Sequence, residues 1–157
     1  WFDVDLFCSK VWEQDPISLM ARYDLVLLFD HFPQGMAKGT ELPYRIRDGF
    51  DGRVFCEILL VNGTLFPKEG KCIGKEGRLR QVHGFFHVTD LDFYRSPPVL
   101  KWHDVLIGDS KFSRQFDDQI GVTMPGAILA PNRSWDMRYH GVKLDVIHNY
   151  LYDGRHE

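Results

Sequence analysis

The chain has 157 residues, of which 44% are apolar and 26% charged, a balance typical of a folded globular domain and unlike that of a disordered segment. Its formal net charge is −3, and its basic residues are scattered, which argues against nucleic acid as a partner. No apolar run approaches the ~20 residues needed to cross a bilayer, so no membrane span is expected.

In chain order, Asp15-Pro16 has the composition of a helix N-cap followed by a first-turn proline, with Ile17, Met20 and Ala21 on one side of a short helix ending near Tyr23. Tyr23 to Asp30 and Tyr44 to Arg47 are read as strands. Arg53 to Val61 is read as a well-buried strand, with Val54, Cys56, Ile58 and Leu60 alternating onto one face. Asn62-Gly63 then suits a type I′ hairpin turn, because both central residues must take positive φ, and Pro67 is expected to limit the return strand. Gly84 to Tyr94 and Val99 to Ile107 alternate with a period of two, as do Val142, Leu144 and Val146 near the end. A second short helix is expected after Ser110, where Phe112 and Phe116 stand four apart.

Turn pairs recur at short intervals, among them Asp48-Gly49, Asp51-Gly52, Pro125-Gly126 and His140-Gly141. About seven strands joined by tight turns predict an all-β class: one domain spanning residues 1–157, an antiparallel barrel or sandwich with one or two short helices.

Three cysteines (Cys8, Cys56 and Cys72) match no zinc or redox spacing and read as small buried apolar groups. The chain opens at Trp1 with Asp3 and Asp5 close behind and no basic start, so no secretory signal is expected in these residues. Two sequons, at Asn62 and Asn132, fit a secretory chain and also arise by chance, so no compartment is assigned.

His83, His87 and His103 invite a metal reading. On a strand, however, residues four apart lie ~13 Å from each other, too far to share an ion, and neither metal nor cofactor is expected. Asp30-His31 places a potential general base at the end of a buried-looking strand. His31-Phe32-Pro33 and Met124-Pro125-Gly126 resemble two pieces of the hot-dog-fold dehydratase motif. In that family the pieces are nearly contiguous, whereas about ninety residues separate them here, and no catalytic role carries over.

The unusual feature is aromatic content: 12 Phe, 6 Tyr and 4 Trp, or 14% of the chain, enough to fill a β core or to line a ligand site. Phe85, Phe86, Tyr94, Trp102 and His103 lie on two of the expected strands and form the candidate ligand wall. The leading expectation is therefore a non-catalytic β domain that binds a small apolar or aromatic molecule or a partner surface, as an accessory subunit of a larger assembly. The alternative is a small β-barrel enzyme, a cyclase, isomerase or dehydratase, in which His31 or His87 works with a carboxylate.

Overall fold

A computed structural model describes residues 6–8, 11–30, 36–39, 42–70, 77–82, 86–108, 118–142 and 146–148. Among these the elements run β1 (Leu6–Cys8), α1 (Pro16–Tyr23), β2 (Leu27–Phe29), β3 (Met36–Gly39), α2 (Leu42–Gly49), β4 (Phe55–Val61), β5 (Thr64–Glu69), β6 (Gly77–Arg80) and β7 (His87–Thr89). They continue as α3 (Leu91–Tyr94), α4 (Pro97–Ile107), α5 (Asp118–Leu129), a 3-10 turn (Pro131–Arg133), β8 (Ser134–Asp136) and β9 (Val146–His148). The main sheet has five strands in the order β4-β5-β8-β2-β7, and two small pairs, β1-β9 and β3-β6, stand beside it. All neighbours are antiparallel except β2 and β8, which are parallel.

This architecture corrects the all-β expectation. The protein is mixed α/β, and its main sheet is open, with β4 and β7 as edges, so it is neither a barrel nor a sandwich. The error lies in segments whose apolar residues satisfy both periods. Val99 to Ile107 alternates like a strand, yet Val99, Trp102, His103 and Leu106 also follow the i, i+3, i+4, i+7 spacing of a helix face. The helix prevails: Ser96 and Pro97-Pro98 open α4, Val99 and Trp102 are buried, and Leu100 and Ile107 are exposed. Tyr44 to Arg47 lies inside α2, and the long strand expected to run to Tyr94 ends with β7 at Thr89 because Asp90 caps α3, accepting the N–H of Asp92 at 2.9 Å. The helix expected after Ser110 and the strand residues 143–145 lie outside the described residues.

Two expectations agree with the structure. Asp15 caps α1, accepting from the N–H groups of Ile17 and Ser18. Asn62 and Gly63 take φ values of 51° and 75° between β4 and β5. β5 nevertheless runs on through Pro67, which pairs with Ile58; only Thr64 of β5 meets β8, so beyond it the proline borders no second ladder.

The sheet is covered on both sides. Leu27 and Phe29 of β2 point into one core with Leu42 and Ile46 of α2, Trp102 of α4, and Ile120, Met124 and Ala127 of α5. Leu28 points the other way, to Met20 of α1, Phe86, Met137 and Val142.

Helix α5 contains Pro125, which read as turn punctuation in the sequence. Proline has no N–H for the carbonyl four residues earlier, that of Gly121. His103 on α4 approaches that carbonyl instead, Nε2 to O at 3.2 Å, and because a carbonyl only accepts, Nε2 carries the proton. The next residue, Gly126, lets the helix sit directly on the parallel pair. A Cβ there would stand 3.0 Å from Leu27 Cδ2, 3.0 Å from Ser134 Oγ and 3.2 Å from the Tyr94 hydroxyl oxygen. Among the described residues, no helix is long and apolar enough to cross a membrane.

Candidate functional site

A cleft of about 520 Å³ lies between α1 and the sheet face that carries Leu28 and Trp135. Its volume is in the range of small-molecule sites. One stripe of α1 lines it: Asp15, Ser18, Leu19 and Arg22, spaced i, i+3, i+4, i+7. Pro16 and Met20 turn into the core from the same helix, and the helix ends where Asp24 adopts a left-handed conformation, leaving Tyr23 at the mouth of the cleft.

The facing wall is aromatic. The rings of Tyr23 and Trp135 lie 4.9 Å apart at 39°, and His140 stacks on Trp135 at 3.9 Å and 13°. A tight turn after β8 creates this arrangement. Asp136 accepts from the N–H groups of Arg138 at 2.8 Å and Tyr139 at 3.3 Å, and the His140 N–H returns to the Asp136 carbonyl at 3.3 Å. Gly141, at φ 77°, then lets the chain reverse toward Val142, whose N–H bonds to the Met137 carbonyl. The Trp135 indole is held by its N–H, which donates to the Asn132 carbonyl at 3.1 Å.

A polar group stands at the carboxyl ends of the parallel strands, where open α/β sheets commonly bind ligands. Asp30, directly after β2, is only 1% exposed, and Arg138 grips it through Nε at 3.0 Å and Nη2 at 2.9 Å. Asp136 closes β8 and is also buried. Burial raises its carboxyl above the ordinary value, outweighing the backbone hydrogen bonds and the Arg138 charge, and the Asp30 charge raises it further. A smaller hollow, about 300 Å³, lies between Phe50, Pro97 and Pro98, where Lys101 is paired with Asp51 and Arg53 with Glu69.

The structure distributes the sequence candidates across both cores. Trp102 is fully buried against Phe50, ring centroids 5.1 Å apart. Tyr94 donates its hydroxyl to the Val122 carbonyl at 2.8 Å, and burial pushes its phenol upward. His103 serves the Gly121 carbonyl. Phe86 lies in the opposite core, edge-on to Trp12 at 5.5 Å. His87 is buried on β7, where it pairs with Phe29, and burial drops its imidazole to about 4. His31 and Phe85 lie outside the described residues. Tyr23, Arg22, Trp135 and His140 escaped the sequence reading, although the 15/18/19/22 spacing after Asp15-Pro16 was visible. Among the described residues, no three His, Cys, Asp or Glu side chains group as metal ligands. Comparison of the chain with protein-family models, curated proteins and solved structures finds no match.

Proposed function

We propose that this domain binds a small ring-bearing molecule in the cleft between α1 and β8, as a binding module without chemistry of its own. The observation that carries the reading is the Tyr23–Trp135–His140 wall facing a hollow of ligand size. A planar ring packed on such a wall gains ~0.5–1.5 kcal/mol per aromatic contact beyond its buried area. Leu19, Leu28 and Val142 supply apolar surface, and the polar stripe of α1 orients substituents.

The test is titration of the ¹⁵N-labelled protein with 2-naphthalenemethanol, a neutral planar probe. The Trp135 indole and the amides of Tyr23 and His140 are expected to shift together and saturably. His140→Ala, at an exposed position, should weaken binding about fivefold, the equivalent of one ring contact. Absence of any saturable shift at these groups would refute the reading.

A second reading, catalysis, is favoured by Asp30, Arg138 and Asp136 at the strand ends. A buried carboxyl with a raised pKa beside a carboxylate held by arginine is an arrangement suited to proton transfer, Asp136 exchanging the proton and Arg138 stabilising negative charge. Bound ring compounds that emerge chemically unchanged from prolonged incubation, followed by mass spectrometry, would count against it. A conversion that Asp136→Asn abolishes would establish it.

A further inference from the structure

We infer that the ligand of the α1–β8 cleft is an aromatic anion, its ring on the Tyr23–Trp135–His140 wall and its negative group on Arg22; this rests on the ring-binding reading above. The charges lining the cleft are unequally committed. Asp15 is occupied by its own helix, accepting from the Ile17 N–H at 3.0 Å, the Ser18 N–H at 3.2 Å and the Ser18 hydroxyl at 2.6 Å. Those bonds, led by the Ser18 hydroxyl, hold its carboxyl below the ordinary value, and the positive end of α1 offsets its charge. Asp24, just beyond the helix, is taken by Arg133 at 2.8 Å.

Arg22 differs. It is exposed, lines the cleft, and makes no ion pair among the described residues. Its guanidinium carbon stands 5.3 Å from the centroid of the Tyr23 ring, so cation and aromatic wall are adjacent parts of one surface. A guanidinium fork beside a ring stack matches a planar molecule bearing a carboxylate or a similar oxyanion, because it offers paired donors in the plane that such a group accepts.

The experiment compares three probes with one ring system on the full chain, by the same NMR titration: 2-naphthoate, neutral 2-naphthalenemethanol and cationic 2-naphthylmethylamine. Naphthoate is expected to bind about fivefold tighter than the alcohol, the advantage of an exposed charge pair, and the amine more weakly than either. Arg22→Gln should remove the advantage of naphthoate over the alcohol, and raising the salt concentration should reduce that advantage in the wild type. Equal affinities for the three, a preference for the amine, or an advantage that survives Arg22→Gln would overturn the inference while leaving ring binding in place. If none of the three binds at the wall, the ring-binding reading fails and the inference fails with it.

Discussion

His103 and Pro125 form a pair whose energetics can be separated. Replacing His103 with leucine keeps most of the side-chain volume but leaves the buried Gly121 carbonyl with no donor from α4, and an unsatisfied buried acceptor costs ~1–3 kcal/mol. Pro125→Ala supplies the missing N–H from within α5, so the same carbonyl regains a partner four residues on. The loss caused by His103→Leu is therefore expected to be about 1.5 kcal/mol in the wild type and about 0.5 kcal/mol in the Pro125→Ala background, a coupling of ~1 kcal/mol. Urea unfolding of the four proteins at one pH measures each stability. If His103→Leu costs the same in both backgrounds within ~0.3 kcal/mol, the histidine is not the surrogate donor and the argument fails.

Two further predictions concern the cores. Because burial drops His87 to about 4 from an ordinary value of 6.5, the unfolded chain takes up a proton below pH 6.5 that the folded protein refuses until about pH 4. Stability should thus be full above pH 6.5 and fall by up to ~3 kcal/mol as the pH drops to about 4. Denaturant melts across that window should show a shallower slope for His87→Gln; identical slopes would exclude His87 as the source. Gly49→Ala places a Cβ 2.6 Å from Cε3 of the fully buried Trp102, and the overpacking should outweigh the gain in helix propensity and destabilise by ~1–2 kcal/mol. A thermal midpoint at or above that of wild type would show that the indole moves aside freely.

Local signals were legible where one residue type has one structural use. Asn62-Gly63 specifies a turn through its positive φ values, and Asp15-Pro16 specifies a helix start through a side-chain acceptor and a missing donor. The class was not legible because α4 carries residues that fit both periods, and packing of Trp102 against Phe50 and Gly49 favours the helix alongside the Ser96-Pro97-Pro98 start. In α5, Pro125-Gly126 imitates a turn. Its helical form depends on His103, distant in sequence, and on the contact of Gly126 with Leu27 and Ser134. The site was obscured for a similar reason: Tyr23, Trp135 and His140 become neighbours only when α1 and the turn after β8 fold over the same sheet face. Asp30 was noticed as the end of a buried strand, but nothing local announces Arg138, 108 residues away, as its partner.

The position of β8 has a consequence for synthesis. It is made roughly a hundred residues after β2, yet it occupies the middle of the sheet, between β5 and β2. While the chain emerges from the ribosome, the β4–β5 hairpin and the β2–β7 pair are already complete as sequence, but each ends in an edge facing an empty slot. Translation must proceed past Asp136 before one three-residue strand fills that slot and joins the two halves. Until then the ladders that β8 joins, along β2 and at Thr64 of β5, lack their partner.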